Sequence, residues 1–164
     1  MQADLAVDVD GPVELDDLDR AVLWAMRSVA VGRLDCPSLR RTFLDLYGPA
    51  ADQILCALLV MVRLLAARAA GGLRMHMPGS SAVSRDELMI LAALASVQEE
   101  AGDGAALRIA AELAELLGGR LDASLGSAFT YVAELLSDRG RRLSAPEPAR
   151  PRAAEPGQLR RTLH

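Results

Sequence analysis

Two thiols and one imidazole, Cys36, Cys56 and His76, are the side chains best suited to chemistry in the body of this chain, because the second histidine, His164, is its last residue. Thiolate and imidazole are ligands for zinc, and the flanking Met75 and Met77 add soft thioethers suited to cuprous copper. A zinc or copper site would therefore draw on Cys36, Cys56, His76, Met75 and Met77. The spacing speaks against one: there is no C-x-x-C or H-x-x-x-H pair, and a structural zinc site wants four ligands. A nucleophile is the other use of a thiol. Cys36 precedes Pro37 at the start of an expected helix, where the dipole favours thiolate, whereas Cys56 sits in the most apolar run, where a thiol is inert. No catalytic set emerges, and no cofactor is expected.

A second group surrounds the loop GGLRMHMPGSSAV. Arg74, Ser80, Ser81 and Arg85 gather ahead of a helix N-terminus, the usual construction of a small-anion site. Asp86 and Glu87 occupy the same first turn and repel an anion. The run Ser84-Arg85-Asp86-Glu87 instead fits a capping box, in which the serine hydroxyl and the glutamate each satisfy an orphan backbone N–H. A third group is the arginine-rich end of the chain, with Arg141, Arg142, Arg150, Arg152, Arg160 and Arg161 as contacts for an anionic partner.

Helices must position these groups. Of the 164 residues, 29 are Ala and 28 are Leu against three Thr, a composition that favours helix and disfavours strand. Leu15, Leu18, Val22, Ala25 and Val29 set a first helix, from about Glu14 to Gly32, with Trp24 off the stripe. Pro37 opens a second that Gly48-Pro49 stops. A third runs from about residue 49 to 70; it is apolar on nearly every face between Ile54 and Leu65 and is expected at the centre of the bundle. Further helices follow from Ser84 to the Gly102-Asp103-Gly104 stop, over 105–117, and over 122–137. The expected fold is all-α: a compact bundle of about six helices forming one domain over 14–143. An acidic, flexible segment precedes it (1–13) and a disordered Pro/Arg-rich tail follows (144–164).

Charge is distributed unevenly along that plan. The net of -4 divides into -7 over residues 1–19, -2 over 20–138 and +5 over 139–164. All 18 basic residues are Arg, which excludes Schiff-base and P-loop lysine chemistry and fits a GC-rich, bacterial genome. An acidic body with few basic residues on its later helices makes sequence-specific DNA binding a poor expectation. The start of the chain lacks a signal-peptide pattern, and the longest apolar stretch, Ile54–Val62, is too short to span a bilayer, so a cytoplasmic location without a transmembrane segment is expected. Poverty of catalytic residues and abundance of apolar helix faces point to a small interaction or regulatory protein, more plausibly not an enzyme, that binds a protein partner or forms a homodimer. The alternative is a metal or small-ligand sensor built on Cys36, Cys56 and His76.

Overall fold

A computed structural model describes residues 13–99 and 104–144. Of the described residues 70% are helical, and no strand occurs among them. The acidic segment 1–12 and the tail from residue 145 lie outside the description, so the expectations of flexibility and disorder there fall outside it too.

The helices begin and end where side-chain chemistry dictates. Helix α1 spans Asp17–Ala30, and the carboxylate of Asp16 accepts the N–H of Asp19 at 2.7 Å to cap its first turn. Helix α2 spans Pro37–Tyr47; Cys36 stands at its N-cap position but makes no side-chain capping bond. Gly48 adopts a positive φ of 58°, and a 3-10 turn over Gly48–Ala50 leads into α3, Ala51–Arg68. Helix α4 spans Arg85–Glu99 behind the predicted capping box: Ser84 Oγ accepts the N–H of Glu87 at 3.2 Å, and Glu87 Oε2 accepts the N–H of Ser84 at 2.8 Å. Helix α7, Ala123–Leu136, is capped by Asp122, which accepts the N–H of Leu125 at 2.8 Å.

The stretch expected as one helix over 105–117 is two. Helix α5 covers Ala105–Glu112 and a single turn, α6, covers Ala114–Leu117. The chain bends at Leu113, whose φ of -99° and ψ of 8° leave the helical region. The bend places Leu113, Leu116 and Leu117 in the core and lets Leu116 O accept the N–H of Ala70 at 3.0 Å, tying this turn to the end of α3. Packing thus overrides a helical pattern that has no glycine or proline at the break.

Helix α3 is the centre of the bundle, packed against α1, α2 and α7, while α4 packs on α5 and α7. Met61, Leu58, Ile54 and Leu65 of α3, Phe129 of α7 and Leu91 and Leu94 of α4 are wholly buried. Phe43 and Tyr47 stack at 5.9 Å between ring centroids beneath α2. By length and mean hydropathy alone the helical run Pro37–Arg68 would suffice to cross a membrane; a core helix passes the same test, and 44% of the qualifying stretch is buried within the body.

Candidate functional site

The loop between α3 and α4 is fastened by a charge pair inside the protein. Arg27, in the last turn of α1, reaches Glu87 in the first turn of α4, with Nε to Oε1 at 2.7 Å and Nη2 to Oε2 at 2.9 Å. The two side chains are 4% and 0% exposed. Arg27 also donates to Ser80 O at 2.8 Å and to Ala82 O at 2.6 Å, while Glu87 accepts the N–H of His76 at 3.0 Å besides its capping bond. One ion pair therefore holds α1, both arms of the loop and the start of α4, with the charges compensated by a bidentate geometry. Burial alone would push the Glu87 carboxyl up; the Arg27 guanidinium and the N–H groups of Ser84 and His76 outweigh it and hold the carboxyl below its usual range.

A second polar junction closes the domain on itself. Leu143 is buried, its N–H donates to Gln98 Oε1 at 2.8 Å, and Arg142 donates to Gln98 O at 3.0 Å. Ser144 then meets the start of α1, donating its N–H to Asp19 Oδ1 at 3.2 Å and its hydroxyl to Asp16. Asp19 is fully buried and its carboxyl is raised, chiefly by burial and then by the neighbouring Asp16. Arg141 lies over the ring of Tyr47 at 5.8 Å, and burial pushes that phenol up to about 12.

Glu87 and Asp19 enter acid stability with opposite signs, beside the exposed Asp52, held low by its bond from Arg40, and Asp122, held low by the N–H of Leu125 and by Arg68. Glu87 is depressed, so its stabilisation is complete above the ordinary glutamate value, roughly 4.3, and is lost as pH falls through its lower folded value. Asp19 is raised, so its contribution favours the folded state at low pH and is lost as pH rises through its folded value. The urea midpoint is expected to fall below about pH 4, with a shallower fall in Glu87→Gln. Identical acid limbs in the two proteins would contradict the assignment.

The three residues first suspected of chemistry are placed on different elements. Cys36 is half-buried at the start of α2, Cys56 is exposed on α3, and His76 lies in the loop before α4. Met75 packs half-buried against the core and Met77 is 63% exposed. Among the described residues no group of three or more His, Cys, Asp and Glu side chains is arranged to hold a metal ion. Of the loop set, Arg74 offers its N–H to Asp86 at 2.8 Å and Arg85 is paired with Glu115 at 2.6 Å. Ser80 accepts the N–H of Ala82 on its hydroxyl at 3.2 Å, and Ser81 is exposed. Of the tail arginines, Arg141 and Arg142 fold onto the body as described, and Arg150, Arg152, Arg160 and Arg161 lie outside the described residues.

Two further surfaces are built by this framework. The first is a groove of about 430 Å³ between α1, α2 and the loop, walled by Leu15, Trp24 and Val83 and edged by Asp17, Arg20 and Ser80. The second is the outward face of α3. Surrounded by three helices, α3 still leaves Cys56, Arg63, Ala66 and Ala67 exposed, Val60 54% exposed and Leu59 half-buried. Asp52, Cys56, Leu59, Arg63 and Ala66 repeat at intervals of four, three, four and three, the spacing of a coiled-coil seam. Tyr131 of α7, 46% exposed, borders the stripe and accepts the side-chain N–H of Gln53 at 2.6 Å. No protein-family model matches the chain significantly, and neither a curated protein nor a solved structure does so.

Proposed function

We propose that this chain is a cytoplasmic helical interaction protein of regulatory type, which acts by protein–protein binding and pairs with a second copy of itself through the outward face of α3. The observation that carries the reading is the seam on α3: Cys56, Leu59 and Ala66 at coiled-coil spacing between Asp52 and Arg63, with Val60 beside them, left uncovered on the central helix of the domain. A second copy is the occupant because the stripe complements itself. Its polar ends carry opposite charge, with Asp52 near the N-terminus and Arg63 toward the C-terminus; Asp52 already pairs with Arg40 of α2 at 2.7 Å, but both are exposed, so an antiparallel partner sets its Arg63 against a carboxylate that it shares with Arg40. The small side chains of Ala66, Ala67 and Cys56 allow close approach of the backbones, and Val60 and Leu59 supply the apolar centre.

The helix has 18 residues, about 27 Å of contact length, which supports a weak and reversible interface of micromolar order rather than an obligate one. Sedimentation equilibrium on the full chain is expected to show a monomer–dimer equilibrium. Val60→Glu, at a site already open to solvent, is expected to shift it at least tenfold toward monomer with helicity unchanged. A wild-type chain that stays monomeric up to about 1 mM would overturn the proposal.

A further inference from the structure

The last described stretch of the chain is a strap laid across the ends of three helices. After α7, a 3-10 turn over Asp138–Gly140 ends at Gly140, whose φ of 72° suits glycine, and the chain continues extended from Arg141. Arg141 covers Tyr47 of α2, Arg142 and Leu143 bond to Gln98 near the end of α4, and Ser144 bridges Asp16 and Asp19 at the start of α1. Of these four residues only Leu143 is buried, while Arg142 and Ser144 are exposed. Little apolar area therefore holds the strap, and its polar bonds decide whether it stays docked.

Those bonds are incomplete. Among the described residues two buried side-chain polar atoms lack a hydrogen-bond partner, Asp19 Oδ2 and Arg141 Nε, and both belong to this junction. Asp19 is wholly buried, and Ser144 donates its N–H to Oδ1 alone. No arginine compensates the carboxyl. On its own helix Arg20 pairs with Asp17 and Arg27 with Glu87; on the strap Arg141 and Arg142 are turned to Tyr47 and to Gln98 O. The nearby end of α4 presents the neutral Gln98 amide, with Glu99 exposed beyond it. The charges of α2 and α3 are exposed, apart from Arg68, which pairs with Asp122. Asp16 adds a like charge beside Asp19, so burial and Asp16 together outweigh the bonds from Ser144 and raise the carboxyl. A proton on Oδ2 removes the buried charge and leaves Oδ1 to accept the Ser144 N–H.

We propose that residues 141–144 form a proton-dependent strap, docked while Asp19 is protonated and loosened as that carboxyl ionises inside the junction. Docking takes up a proton, so it is strongest below the ordinary aspartate value of about 3.9 and weakens as pH rises through the docked value. Undocking bares the ring of Tyr47 and the ends of α1 and α4, a surface separate from the α3 seam. Hydrogen exchange on the full chain, read by NMR at the N–H of Leu143 that Gln98 Oε1 holds, reports the docked strap. Corrected for the intrinsic exchange rate, its protection is expected to fall at least about fivefold between roughly pH 4.5 and 8. The N–H of Ser84, bonded to Glu87, should keep constant protection over that range, because Glu87 stays ionised. Asp19→Asn keeps an acceptor for Ser144 and should make the protection of Leu143 independent of pH. Asp16→Asn keeps the N-cap and should move the fall to lower pH. A flat profile in the native chain, a fall shared equally by Ser84, or a slope that persists in Asp19→Asn would overturn the proposal. A fall left unmoved by Asp16→Asn would do the same.

Discussion

Glu87→Leu is expected to cost about 3–5 kcal/mol of unfolding free energy, read as a lower midpoint in urea at pH 7. The substitution leaves the Arg27 guanidinium in the interior, with Ser80 O and Ala82 O as acceptors but no compensating charge. It also deprives the N–H groups of Ser84 and His76 of their acceptor. Arg27→Met should be destabilising for the mirror-image reason. The double variant Arg27→Met/Glu87→Leu is expected to recover part of the loss, because two well-packed apolar side chains replace a charge pair more gently than one orphaned charge does. A coupling energy of at least about 1 kcal/mol in that cycle is the expected signature, and additive single losses would show that the pair contributes nothing as a pair.

Phe129→Ala carries the other large expected loss, again about 3–5 kcal/mol. Phe129 is wholly buried on α7, the helix that packs against both α3 and α4, so truncation opens a cavity where three elements meet. The same substitution at exposed Tyr131, one turn-face away on the same helix, should change stability by less than about 1 kcal/mol. Thermal and urea unfolding of the two variants side by side check the contrast. Comparable losses at both positions would contradict the placement of the core.

Local signals in the sequence reach the elements and stop short of what joins them. Pro37 and Gly48-Pro49 mark α2, and the Ser84–Glu87 box marks the start of α4, because a cap is chemistry between residues three apart. The bend at Leu113 has no such signal, since it is imposed by burial of Leu113, Leu116 and Leu117 against the rest of the body. Glu87 was visible as a capping residue, but its second role depends on Arg27, 60 residues away. One sign of that partner was present: Arg27 is the only charged residue in the run Ala21–Val31, where an arginine inside an apolar helix needs a counter-charge.

The apolar character of α3 was equally legible and only partly informative. Hydrophobicity on every face is the pattern of a helix enclosed by others. Three helices enclose α3, and the stripe through Cys56 and Val60 stays outside. Periodicity describes which faces avoid water, whereas the number of neighbours available to cover them is a property of the assembled bundle. The Cys36, Cys56 and His76 set illustrates the same limit, because spacing along the chain carried no information on the separate elements that hold them.

Pairing through α3 is tested most directly at Cys56, which lies on the seam with its thiol exposed. In an antiparallel pair that sets Asp52 against Arg63, the two Cys56 positions fall about three residues apart along the axis at an interhelical distance of roughly 8–10 Å, within the span of a short bis-maleimide. In a Cys36→Ser background at micromolar concentration, that reagent is expected to give a covalent dimer, and the added change Val60→Glu is expected to abolish it. Ready alkylation of Cys56 by a mono-maleimide with no dimer from the bis-maleimide would contradict the account.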